Sequence, residues 1–323
     1  MSAMTSAHAP GAAAGEGKPV MLIMGPTGAG KTDLAMHLAA RYPVEIVSVD
    51  SAMVYRGLNI GTGKPDAATL ARFPHHLVDI LDPAQAYSAG QFVRDAQRVI
   101  AQIHARGKIP LLVGGTMLYF RALRRGLADL PEADAAVRAQ IDAEALENGW
   151  PALHAQLADI DARAAARIKP NDAQRIQRAL EVFRITGRTL SELHAQTVIP
   201  APGLVFTACA WVPGDRERLY AGIARRFAAM LAAGLLEEVR ALYLRGDLHD
   251  RLPAIRSVGY RQLWEHLQGA ADWSAAIDSA VLATRHLARR QLVWLRSESD
   301  VRWIDALDPQ ASAHIEATLA TLL

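Results

Sequence analysis

Val20-Met21-Leu22-Ile23-Met24 is a short run of apolar residues between Lys18-Pro19 and a glycine-rich turn, the pattern of a strand buried on both faces. Beyond the turn, Leu34, Ala35, Leu38 and Ala39 recur at helical spacing. Glu45-Ile46-Val47-Ser48-Val49 predicts a second strand that closes on Asp50, and Leu77-Val78-Asp79-Ile80 predicts a third. Ser88-Ala89-Gly90-Gln91 is a capping box that opens a helix ending near Gly107. Ile109-Pro110-Leu111-Leu112-Val113 then reads as a strand, closed by Gly114-Gly115-Thr116. Strands alternating with helices in this way predict a parallel α/β sheet flanked by helices.

From 131 to 203 the pattern changes. This span is rich in Ala, Arg, Asp and Gln, has helical periodicity and shows no strand. Strand patterning resumes at Val205 to Trp211, long helices are predicted from Asp215 to Arg245 and from Ser274 to Arg296, and Val301-Arg302-Trp303-Ile304 reads as a last strand. The expected organisation is a flexible tail over 1–17, a discontinuous α/β core over 18–130 and 204–323, and an all-helical insertion over 131–203.

Composition narrows the setting. The 323 residues carry 35 Lys and Arg against 33 Asp and Glu, so no global charge announces a nucleic-acid partner. The one cysteine, Cys209, sits in a strand-like run; it excludes a disulfide framework or a zinc knuckle and suits the cytosol. No run of 18 apolar residues predicts a membrane span, and the Ala- and Gly-rich start lacks the regions of a signal peptide. A cytoplasmic protein is the expectation.

The turn after the first strand is Gly25-Pro26-Thr27-Gly28-Ala29-Gly30-Lys31-Thr32, which fits the P-loop pattern of nucleotide-binding proteins. Such a loop binds phosphate because successive backbone N–H groups and a helix N-terminus face the anion. Lys31 adds a point charge, and the Thr32 hydroxyl can hold Mg²⁺. ATP-using proteins of this fold often end a second apolar strand in a Mg²⁺-binding Asp. Here Gly114-Gly115-Thr116 stands in that place, and the strand-end acid is Asp50, which reads as a turn residue, a metal ligand or a general base. Basic residues gather at Gln174-Arg175-Ile176-Gln177-Arg178, at Arg256-Ser257-Val258-Gly259-Tyr260-Arg261, and on one helical face at Arg285, Arg289 and Arg296 with Arg290 beside them. Three such clusters on a nearly neutral chain favour a polyanion or diphosphate partner. The neighbouring His75 and His76 have no third ligand at suitable spacing and are expected to be loop structure.

Eight blocks in order carry a resemblance: GPTGAGKT at 25, VDSAMVYRGLNIGTGKP at 49, PHHLVDILDP at 74, AYSAGQF at 86, LLVGGTMLYF at 111, NDAQRIQRALEV at 171, IRSVGYRQLW at 255 and RRQLVWLR at 289. Together they resemble the bacterial tRNA dimethylallyltransferases, the isopentenyl-tRNA transferases, over nearly the whole chain from Lys18. The resemblance implies transfer of a dimethylallyl group from dimethylallyl diphosphate to N6 of adenosine 37, beside the tRNA anticodon, by a monomeric, Mg²⁺-assisted enzyme. It implies that Gly25 to Thr32 hold the diphosphate, that Asp50 is the general base, that Thr116 contacts the reacting groups and that Arg256 grips the leaving diphosphate. It also implies that the anticodon stem-loop is met by Asp50-Ser51-Ala52-Met53, Thr116, Arg138, the stretches 174–178 and 256–261, and Arg289-Arg290-Gln291-Leu292-Val293-Trp294-Leu295-Arg296. The departures are Gly28-Ala29 within the loop and the extra N-terminal tail. Read from residues alone, a P-loop kinase, a prenyltransferase of free adenine nucleotides and an RNA-binding module remain rivals. The Gly114-Gly115-Thr116 strand end, the basic insertion and the intact Lys31-Thr32 pair argue against them in that order.

Overall fold

A computed structural model describes residues 17–196 and 203–323. The expected tail, apart from Gly17, and the end of the expected insertion lie outside the described residues. The chain divides into two compact units, one drawn from Met1–Phe120 and Pro202–Leu323 and the other from Arg121–Ala201.

The first unit is built on a six-stranded parallel sheet. Its strands are β1 (Lys18–Met24), β2 (Val44–Val49), β3 (His75–His76), β4 (Ile109–Gly114), β5 (Leu204–Val212) and β6 (Arg302–Asp305), in the spatial order β3-β2-β4-β1-β5-β6. The apolar runs are strands buried on both faces: Val20 to Ile23 and Leu111 to Leu112 have no exposed surface. Register aligns the strand ends. Met24 pairs with Gly114, and Gly114 pairs with Val49, so the carboxyl ends of β1, β4 and β2 finish level. The P-loop, Gly115-Thr116 and Asp50 therefore leave the sheet along one edge, where parallel sheets place ligands.

Three expectations are corrected. The strand expected over Leu77–Ile80 is instead the two-residue β3, because Leu77 and Asp79 take positive φ of 63° and 56°, which no strand tolerates. His75 and His76 are thus an edge strand rather than loop. His76 Nε2 lies 2.8 Å from Glu45 Oε2, and no group of three metal-ligating side chains occurs among the described residues. The helix expected from Asp215 to Arg245 is two, Arg216–Ala232 and Leu235–Tyr243, bent by 64° where Gly234 takes φ 98°. No single helix among the described residues is long and apolar enough to cross a membrane.

The second unit is helical, with Ala135–Asn148, Trp150–Ile160, Ala162–Ala165, Ala173–Thr186 and Leu190–Ala195 packed on Ile141, Leu153, Leu157, Ile176 and Leu180. Asp134, Asp161, Asp172 and Thr189 cap four of these helices with their side chains, which explains the acid-rich texture of the span.

Candidate active site

The loop from Gly25 to Thr32 is shaped by its glycines and fastened from outside. Gly28 and Gly30 have φ of 82° and 80°, and Gly30 opens the helix Lys31–Ala39. A Cβ on Gly25 would stand 2.2 Å from the Trp211 carbonyl, so the chain must pass β5 here without a side chain. Trp211 Nε1 donates to Ala29 O at 2.8 Å, and Lys31 Nζ donates to Pro26 O at 2.7 Å. Desolvation brings the Lys31 ammonium down to about 8; Asp50 opposes the shift and Arg226 adds to it.

Asp50 meets both of its readings. Its Oδ1 accepts from the amides of Ala52 at 2.8 Å and Met53 at 3.2 Å, which is the turn role. Its Oδ2 has no hydrogen-bond partner among the described residues. Thr116 is placed beside it: Thr116 Oγ1 accepts from Ser51 N at 3.1 Å, and Thr116 N donates to Val49 O at 3.2 Å. The two glycines before Thr116 have steric causes. A Cβ on Gly114 would fall 2.1 Å from Val49 O, and one on Gly115 would fall 2.4 Å from Gln291 Nε2. No Asp fits at that strand end, which accounts for its absence.

Two cavities adjoin at this edge. One, of about 600 Å³, is lined by the P-loop from Thr27 to Thr32. The other, of about 500 Å³, is lined by Thr116, Arg256, Arg290 and the apolar groups Tyr55, Phe227 and Trp294. Thr27, Asp50, Thr62, Gly115, Arg226, Met230 and Gln291 line both, and so form the wall between them.

One of those wall residues, Arg226, was not legible as a site residue, and a second, Gln291, has partners that the sequence did not give. Arg226 Nη2 donates to Thr27 Oγ1 at 2.8 Å, and desolvation lowers its guanidinium below its ordinary value. A signal existed: by 100° steps Arg226 falls beside Ile223, Phe227 and Met230 on the inward arc of its helix, an unusual place for a charge. Gln291, expected to face tRNA, instead accepts from Thr27 N and donates to Gly115 O, both at 2.8 Å. Glu238 likewise sits in no motif. It accepts the amides of Asn59, Ile60 and Gly61 and the Tyr260 hydroxyl, and so fixes the loop that walls the site.

The stretches expected to meet tRNA are not uniform. Ile176, Tyr260 and Leu295 have no exposed surface, because they are core positions of amphipathic helices, and Ile176 and Leu295 are corrected to structural residues. Arg138 and Arg178 both clamp the fully buried Glu181, at 2.8 Å and 2.6 Å, and Arg175 pairs with Asp172 at 2.9 Å. Arg261 lies 3.7 Å from Glu265. Arg285 stacks on the Tyr220 ring at 5.5 Å. Arg256, Arg289, Arg290 and Arg296 are exposed and make no ion pair or side-chain hydrogen bond among the described residues. They are the cations available to an outside anion.

Comparison with known proteins gives a consistent result. The family model described as IPP transferase matches residues 53–298, and one described as isopentenyl transferase matches 18–78. A tRNA dimethylallyltransferase of Cupriavidus necator is 56% identical over 296 residues, covering 90% of this chain and 92% of its own. The crystal structure of a full-length tRNA isopentenylpyrophosphate transferase from Bacillus halodurans matches with a TM-score of 0.68 at 35% identity, covering 94% of this chain and 96% of that one. A eukaryotic dimethylallyltransferase acting on tRNA matches with a TM-score of 0.76 at 26% identity, over 93% of this chain and 77% of that one.

Proposed function

The chain belongs to the IPP transferase family and is a tRNA dimethylallyltransferase, and on that premise we propose how its site does the work. The donor is dimethylallyl diphosphate, held by the P-loop, and the acceptor is N6 of adenosine 37 in the anticodon stem-loop. The observation that carries this reading is the position of Asp50 on the wall shared by the two cavities, with one carboxylate oxygen spent on the turn and the other left to a ligand.

Magnitudes favour a diphosphate-led grip. Burying five prenyl carbons yields about 4 kcal/mol at ~0.8 per carbon, too little for useful binding. The backbone amides of the P-loop, Lys31 and Arg226 would supply the rest and stabilise charge that grows on the departing diphosphate. Arg256, exposed on the second cavity, would approach the same leaving group from the acceptor side. Thr32 offers a hard oxygen ligand on the P-loop cavity, and with no group of three metal-ligating side chains among the described residues, Mg²⁺ would take its remaining ligands from diphosphate and water, which leaves Asp50 Oδ2 to the acceptor. When bound it would neutralise diphosphate charge.

The acceptor is a weak nucleophile because its lone pair is delocalised into the ring. Asp50 Oδ2 would accept a hydrogen bond from the amine, orient it and take its proton as the new bond forms. The N6 lone pair forms a bond to C1 of the prenyl group, the C1–O bond breaks, and the electron pair leaves with diphosphate. No covalent enzyme intermediate is needed. The target base must leave its stack, at a cost of a few kcal/mol. Tyr55, Phe227 and Trp294 offer it apolar walls, and Arg289, Arg290 and Arg296 offer phosphate contacts that offset the cost. Every group in this scheme comes from one chain, so a monomer suffices.

Asp50→Asn tests the reading. It should bind tRNA within severalfold of wild type yet lose most turnover; near-normal turnover would remove Asp50 as the base.

A further inference from the structure

Gln291 sits on the helix Trp273–Arg296 directly after the exposed pair Arg289 and Arg290, yet its amide points inward. Oε1 accepts the Thr27 N–H at 2.8 Å, and Nε2 donates to Gly115 O at 2.8 Å. These partners belong to the two edges of the site: Thr27 to the P-loop, Gly115 to the turn that carries Thr116. Apart from Gln291, the hydrogen bond that joins these edges is Gly25 N to Gly114 O, at 3.3 Å. The edges are also rich in glycine, so they have few side chains with which to lock each other.

We infer that Gln291 is a positioning residue that sets the separation of the leaving-group cradle and the acceptor wall, and is not a contact for tRNA. The inference rests on the proposed prenyl transfer. A direct displacement needs the attacking nitrogen and C1 near ~3–3.5 Å and in line, and a misplacement of about 1 Å can cost 100-fold. A carboxamide suits the task because it donates and accepts from one rigid plane, so it can span an N–H and a carbonyl together. Glutamate offers no donor, and methionine offers neither strong partner while keeping nearly the same shape. Gly115 is part of the device, since a Cβ there would stand 2.4 Å from Nε2 and push the amide away.

The test measures label transfer from dimethylallyl diphosphate to tRNA by wild type, Gln291→Met and Gly115→Ala in parallel. Gln291→Met should keep its melting temperature, its tRNA Kd and the salt slope of that Kd. Its donor KM should stay within about threefold while kcat falls about 10- to 100-fold. Gly115→Ala should reproduce the kcat-selective loss with the sequence of the helix unchanged. In a double-mutant cycle, Gly115→Ala should cost less on a Gln291→Ala background, where the clash is gone, than on wild type. Wild-type kcat in Gln291→Met, a loss confined to tRNA affinity, or an additive cycle would each overturn the inference. Absence of transfer by wild type would instead overturn the proposed function.

Discussion

Arg226 donates to the hydroxyl of Thr27 at 2.8 Å across 199 residues of sequence, so a guanidinium from a distant helix stands over the P-loop. A hydrogen bond to a charged partner contributes about 1.5–3 kcal/mol, or ~10- to 100-fold in affinity. Arg226→Met should therefore raise the donor KM about 10- to 100-fold. Its tRNA Kd should not change, and steady-state kinetics at saturating tRNA, with a separate binding titration, check both.

Lys31 gives the site a pH limit. Its ammonium titrates near 8 in the donor-free protein, below its ordinary value of 10.5, chiefly through desolvation. The free enzyme thus loses that charge as pH rises through about 8, and kcat/KM for the donor should fall above it. Diphosphate binding should restore the proton, so calorimetry near pH 8.5 in two buffers of different ionisation enthalpy should show proton uptake. For stability the sign is opposite. The unfolded chain holds the proton up to about 10.5 while the native chain releases it near 8, so the destabilisation from Lys31 is full below pH 8 and is relieved above it.

The contrast among these residues shows what a sequence can carry. The P-loop, Asp50, Thr116 and Arg256 each sit in a short contiguous motif, because the turn that aims the side chain is built by its neighbours. Arg226 and Gln291 reach the same wall from helices whose local pattern serves packing, and they meet Thr27 only through the tertiary fold. The strands were legible where apolar residues are continuous, as in β1 and β4. Leu77–Ile80 misled because Leu77 is buried like a strand residue, at 5% exposure, while its φ is positive. The long helix after Asp215 misled because Gly234 breaks it within an otherwise helical period.

Glu181 organises the helical unit from within. It has no exposed surface, accepts from Arg138, Arg178 and the Asp134 amide, and its carboxyl is held below the ordinary range: burial pushes it up, but the two guanidiniums outweigh burial. Removing one partner of a fully buried pair costs about 3–5 kcal/mol. Because Arg138 is 41% exposed, Glu181→Ala should cost less, about 2 kcal/mol, read by urea unfolding at pH 7. The native carboxyl is depressed, so its contribution is complete above the ordinary carboxylate value and is lost as pH falls through the native one. The gap between wild type and Glu181→Ala should therefore close in acid.

Arg289 and Arg290 are exposed and unpaired among the described residues. If both meet phosphates, replacing them with alanine should weaken tRNA binding and reduce the slope of log Kd against log salt by about 1.4–1.8, at ~0.7–0.9 per contact. Filter binding from low to moderate salt checks this, and an unchanged slope would rule out phosphate contacts there.

The most direct measurement of the central claim follows the prenyl group. Labelled dimethylallyl diphosphate and Mg²⁺ are incubated with the protein and either tRNA or AMP, and the modified nucleoside is located by digestion and mass spectrometry. Label on N6 of adenosine 37, with diphosphate released and AMP unmodified, is the predicted result. Label on AMP, label elsewhere in the tRNA, or ATP turnover with no prenyl transfer would contradict it.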